Sequence, residues 1–144
     1  MSDFLEHYQG PFKGVLRWHQ LDDLWQTVRE RAGEGWYIYP IEEEIPRKTA
    51  SERDLGTFIE ETDKKLRDLH DEKYCGIVYT DDFSAPTLIK IYHPKNLGAS
   101  CGSSGETILP AWTLSTMPPA DLLDWVAEKE KKPAWWKRMV RGVR

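Results

Sequence analysis

Apolar residues recur along the chain with two different periods, and the switches between them outline a fold. Residues 14–18 alternate, with Val15 and Arg17 on one face and Leu16 and Trp18 on the other, the pattern of a short strand. The period then lengthens. Leu21, Leu24, Trp25, Val28 and Ala32 form one stripe of a 3.6-residue repeat and predict a helix. Asp22 and Asp23 fall in its first turn and Arg29 and Arg31 near its end, where each sign complements the helix dipole. Gly33 and Gly35 supply the stop. Residues 36–41 are aromatic and β-branched and predict a second strand, which Pro40 confines to an edge or an end.

A charged link with Pro46 leads to the clearest helix, residues 51–70. Leu55, Phe58, Ile59, Thr62, Leu66 and Leu69 form its stripe, and Ser51 with Asp54 resembles a capping box. The pairs Glu60–Lys64 and Glu61–Lys65 add i,i+4 support on the solvated side. Residues 74–80 and 87–93 then predict a hairpin around the polar turn 81–86. In the second of these strands Ile89, Ile91 and His93 share one face, and Leu88, Lys90 and Tyr92 the other. Residues 107–115 predict a fifth strand, which Pro110 marks as an edge or bulged one. Pro118 and Pro119 open a third helix carrying Leu122, Leu123 and Val126, and Pro133 starts a last short one. Residues 1–13 read as an arm.

The order β-α-β-α-β-β-β-α-α predicts an α+β domain: a mixed or mostly antiparallel sheet of about five strands with helices on one face. A ferredoxin-like layer is the nearest standard arrangement. Residues 1–128 are expected to form a single domain, and residues 129–144 a basic, Trp-containing C-terminal helix or tail.

Composition narrows the class. A 144-residue chain with 40% hydrophobic and 31% charged residues fits one folded domain rather than a disordered chain. No apolar run approaches the ~20 residues of a membrane span, and residues 1–10 carry no basic segment followed by an apolar one. The expectation is therefore a cytoplasmic protein. Cys75 and Cys101 are the two cysteines; in a reducing compartment both are expected as thiols, with Cys75 in the core. No zinc spacing or phosphate-loop motif occurs, so neither a metal nor a cofactor is expected.

Charge changes the picture more. The net −4 hides an uneven split. Lys129, Lys131, Lys132, Lys137, Arg138, Arg141 and Arg144 face only Glu130, so the last sixteen residues carry about +6 and the remainder about −10. Two of the seven tryptophans, Trp135 and Trp136, lie in that basic tail. Large aromatics beside Lys and Arg are the composition of interface anchors. The predicted function is thus a binding or accessory protein that docks a partner through Trp135, Trp136, Lys137, Arg138 and Arg141. The partner would be an acidic protein or a second copy of the chain. The same composition suits an anionic membrane surface, whereas the acidic body disfavours nucleic acid.

The loop 93–106 carries the alternative. Its glycines permit a nest of backbone N–H groups, and Lys95, Ser100, Gly102, Ser103 and Gly105 would bind a small anion there. Cys101 in the same loop, with His93 eight residues upstream, would serve as the nucleophile of a thiol enzyme or a sulfur carrier. A polar Gly/Ser loop between strands also needs no role beyond connection.

Overall fold

A computed structural model describes residues 3–70, 73–94 and 108–142. Its sheet is antiparallel throughout, in the order β1-β3-β4-β5-β2. The strands are β1 (Lys13–Gly14), β2 (Tyr37–Pro40), β3 (Val78–Thr80), β4 (Leu88–Ile91) and β5 (Trp112–Ser115). The helices are α1 (Asp3–Tyr8), α2 (Trp18–Glu30), α3 (Glu52–Leu69), α4 (Leu122–Lys129) and α5 (Ala134–Gly142). The α+β class and the five-stranded antiparallel sheet match the sequence expectation, as does the order of elements from α2 onward.

Strand alternation divides the molecule into two cores. Val78, Ile89, Ile91 and Leu114 point to one side, where Leu21, Leu24, Trp25 and Val28 of α2 and Leu55, Ile59 and Leu66 of α3 meet them. Tyr39 and Leu88 point to the other side, where Phe4 and Tyr8 of α1 and Leu122 and Leu123 of α4 cover them. Helices therefore stand on both faces of the sheet, not on one, and the ferredoxin-like layer does not apply. The physical reason lies at the N-terminus. Residues 3–8 form α1, whose Phe4 is fully buried, where an arm was expected. The Tyr8 ring meets Trp125 of α4 edge-on at 5.7 Å, joining the two helices of this layer.

Local sequence sets several boundaries. The α2 helix begins at Trp18, earlier than its apolar stripe suggested, because Gln20 folds back and accepts from the amides of Leu16 and Arg17. Its first turn consequently holds no carboxylate. Ser51 caps α3 by accepting from the Asp54 amide at 3.0 Å. Pro110 lies just before β5, so this strand is interior, paired with β4 and β2. The edges are β1, only two residues long, and β2, which ends at Pro40 and is joined at its start by the bridge between Trp36 and Ala50. Cys75 is a free thiol inside the first core, where burial pushes its pKa up.

Candidate functional site

The C-terminal helix is held on the body by one side and presents the other. Trp136 and Val140 pack against the second core. Lys137 reaches back to α4, with Nζ 2.8 Å from Asp121 Oδ2 and a second bond to Asp124. Burial alone would lower the Lys137 pKa, but the two carboxylates outweigh it and hold the ammonium above its ordinary range. Lys132 lies over the Trp136 ring at 5.6 Å. Trp136 and Lys137 thus face the protein's own domain, and two of the five residues assigned to partner docking are anchors of the helix instead.

Trp135 and Arg138 face outward. Trp135 is 54% exposed and Met139 48% exposed, one helical turn apart, with exposed Arg138 beside them. Arg141 lies in the last turn of α5. The helix is amphipathic in an unusual sense, because its outer stripe is also apolar. A pair of large exposed apolar side chains flanked by a guanidinium is a compact anchor for another surface.

His93 is partly buried and lines a cleft of about 570 Å³ with Glu42, Glu43, Lys65, Trp112 and Val140. Lys95, Ser100, Cys101, Gly102, Ser103 and Gly105 lie outside the described residues, so neither the thiol pairing with His93 nor the anion nest is placed. Among the described residues, no group of three or more His, Cys, Asp and Glu side chains gathers as a metal site.

Two clusters went unread in the sequence. In the first, Asp81 is a staple. Its Oδ1 accepts from the amides of Thr87 (3.0 Å) and Leu88 (3.2 Å), and its Oδ2 takes the Thr87 hydroxyl and approaches His7 Nε2 at 2.8 Å. Burial raises the Asp81 pKa, but these hydrogen bonds together outweigh it and hold the carboxyl below its ordinary value. Both Thr87 and Asp81 approach the same ring nitrogen of His7, so the trio lacks the relay geometry of a nucleophile, base and orienting acid. It ties α1 to the β3–β4 turn. Asp82 beside it accepts from the amides of Ser84 and Ala85, the turn role its sequence position suggested.

The second cluster centres on Lys90 in the middle strand. The ladder sets Tyr79 and Thr113 opposite it on the face covered by α1. Lys90 Nζ donates to the Tyr8 carbonyl at 2.8 Å and lies 3.8 Å and 4.0 Å from the centroids of Tyr8 and Phe12. No carboxylate among the described residues pairs with it, and burial pushes its pKa down to about 8. Burial also raises Tyr8 and Tyr92. A hydrogen bond between the two hydroxyls adds to the first rise and opposes the second. Thr113 Oγ1 is wholly buried and has no hydrogen-bond partner. The only sequence signal was the placing of Lys90 on one face with Leu88 and Tyr92; cross-strand register supplies the rest.

Leu16, Leu69 and Tyr74 are exposed, so Leu69, at the end of the α3 stripe, does not join the core that its spacing suggested. Arg17 stacks over the Tyr74 ring at 4.5 Å. No protein-family model, curated protein or solved structure matches the chain.

Proposed function

We propose that the protein is a binding module whose α5 helix docks an acidic protein surface through Trp135, Arg138 and Met139. The observation that carries this reading is the double-sided helix. Trp136, Val140 and Lys137 fix α5 on the body, and that anchoring leaves Trp135 and Met139 displayed on a rigid element. Pre-fixing the helix reduces the ordering cost that a free tail would meet on binding. The basic surroundings choose the partner: Lys131 and Arg138 are exposed here, so an acidic surface is steered in and a basic one repelled. No described helix is long and apolar enough to cross a membrane, and a reducing cytoplasm suits the free Cys75 thiol.

The test uses random peptides displayed on phage, selected on the wild-type protein. Counter-selection uses a variant carrying Trp135→Ala, Arg138→Glu and Met139→Ala. These changes spare Trp136, Lys137 and Val140, so α5 stays seated. Acidic peptides with an apolar residue should be enriched and should bind the variant about tenfold or more weakly. Failure to enrich such peptides, or equal binding to the variant, overturns the proposal. So does a wild-type dimer in sedimentation equilibrium that the variant lacks, since the occupant is then a second copy. Variant-sensitive binding to phosphatidylserine vesicles without peptide enrichment would replace the protein partner with a membrane surface.

A further inference from the structure

The cleft beside His93 is built where the sheet stops. The Ile41 amide donates to the Ala111 carbonyl at 3.0 Å, and the Ala111 amide to the Ile91 carbonyl at 2.8 Å. On that line β2 and β4 end and β5 begins. Beyond it no strand separates the two helical layers, and the cleft of about 570 Å³ lies between them. Lys65 of α3 lines it from one layer, Leu123 of α4 and Val140 of α5 from the other. The volume falls within the ~300–1,000 Å³ of small-molecule sites, and apolar walls with a few charged groups are their usual lining.

The charges of the lining have both signs. Glu42 and Glu43 come from the turn after β2, and Lys65 stands with Nζ 5.4 Å from the centroid of the Trp112 ring. The sequence pairs Lys65 with Glu61 one turn earlier. In the fold Lys65 is exposed, and no carboxylate among the described residues lies within ion-pair distance of it. An ammonium has three donors, and a ring face leaves it able to take a carboxylate from outside. Glu42 and Glu43 already hold other contacts, but an ionised carboxylate accepts up to about four hydrogen bonds. Leu109, Leu123 and Val140 carry no charge and continue the second core. A simple cation would meet the repulsion of Lys65, and a simple anion that of two carboxylates. A small head bearing both charges, on an apolar body, is matched by every part of this lining.

We propose that this strand-end cleft binds a free α-amino acid with an apolar side chain. Glu42 and Glu43 take its ammonium, Lys65 takes its carboxylate, and the wall of Leu109, Leu123 and Val140 takes its side chain. Binding is reversible and involves no covalent step. Trp135, Arg138 and Met139 do not line the cleft, so the site is separate from the outer face of α5.

Compounds that share one ring separate the charges. L-Phenylalanine carries both, phenethylamine only the ammonium, and hydrocinnamate only the carboxylate. Each is titrated at neutral pH into the full-length protein, and heteronuclear NMR follows the backbone amides of Lys65, His93 and Ala111. L-Phenylalanine should shift these amides and bind about tenfold or more tightly than either analogue. Lys65→Ala should weaken L-phenylalanine several-fold and leave phenethylamine no weaker. Glu42→Gln combined with Glu43→Gln should weaken L-phenylalanine and phenethylamine and leave hydrocinnamate no weaker. All three substituted side chains are exposed, and unchanged amide shifts in β3 verify that the fold is kept. The proposal is overturned if neither L-phenylalanine nor L-leucine shifts these amides at millimolar concentration. Equal affinity for the three ring compounds also overturns it, since the cleft is then only a hydrated gap between layers. So does tighter binding of either analogue, or an affinity for L-phenylalanine that either variant leaves unchanged.

Discussion

Asp81 shows how one carboxylate can organise a turn that its own neighbours do not specify. Asp81→Ala removes the acceptor of two backbone amides, one of them the amide of buried Leu88, and is expected to cost about 2–3 kcal/mol in urea unfolding at neutral pH. The pH sign follows from the depressed folded pKa. The contribution is fully present above the unfolded value of 3.8 and is lost as pH falls through the lower folded value. The gap between wild type and Asp81→Ala should therefore narrow below about pH 3.8. A gap that persists unchanged in acid would show that the charge contributes nothing. At this scale the sequence was only partly legible. Asp82 was readable because its partners, Ser84 and Ala85, are two and three residues away. Asp81 and Lys90 were not, because their partners in α1 lie 74 and 82 residues away and their others come from register across the ladder.

Elements were legible in proportion to their length. The eighteen-residue α3 combines a capped start with an apolar stripe, so pattern and structure agree within one residue at each end. The six-residue α1 offers only Phe4 and Tyr8 as a stripe and is stable by packing, which no local pattern reports. Strands are shorter than their apolar runs, because residues such as Cys75 and Ile77 are buried in the core outside the regular ladder. For α5, the 3.6-residue spacing of Trp136, Met139 and Val140 would place all three on one face, whereas Met139 stands 48% exposed. Trp136→Ala should release α5 from the second core. Hydrogen exchange is expected to accelerate across α5 while β3, β4 and β5 keep their protection. Equal acceleration in sheet and helix would mean that α5 is part of one cooperative unit.

For the whole molecule, the two cores share one sheet, and they are unequal. The first is filled by two long helices; the second depends on short α1 and on α4. Phe4→Ala removes a fully buried ring from the smaller core, with an expected loss of about 3–5 kcal/mol. Exposure of Tyr39 and Leu88 should then appear as binding of a hydrophobic dye before the main unfolding transition. Coincident dye binding and unfolding would show that the second layer does not loosen separately. Charge was the most legible property at this scale, since the division between an acidic body and a basic end needs no structure to be seen. Which basic residues are already engaged did need it, because Asp121 and Asp124 claim Lys137 from a neighbouring helix.

The sheet's margins bear on how the protein can meet anything at all. A visiting strand needs a run of unpaired amides and carbonyls along which to hydrogen-bond. The regular strand at one margin is two residues long, continued only by the isolated bridge of Arg17 to Tyr74. The other closes on a residue without an amide hydrogen and is already crossed at its start by Ala50. Neither gives a foreign chain enough length to lie down. Among the described residues, neither margin favours growth of the sheet into a continuous stack, which suits the proposed docking through side chains standing on a helix.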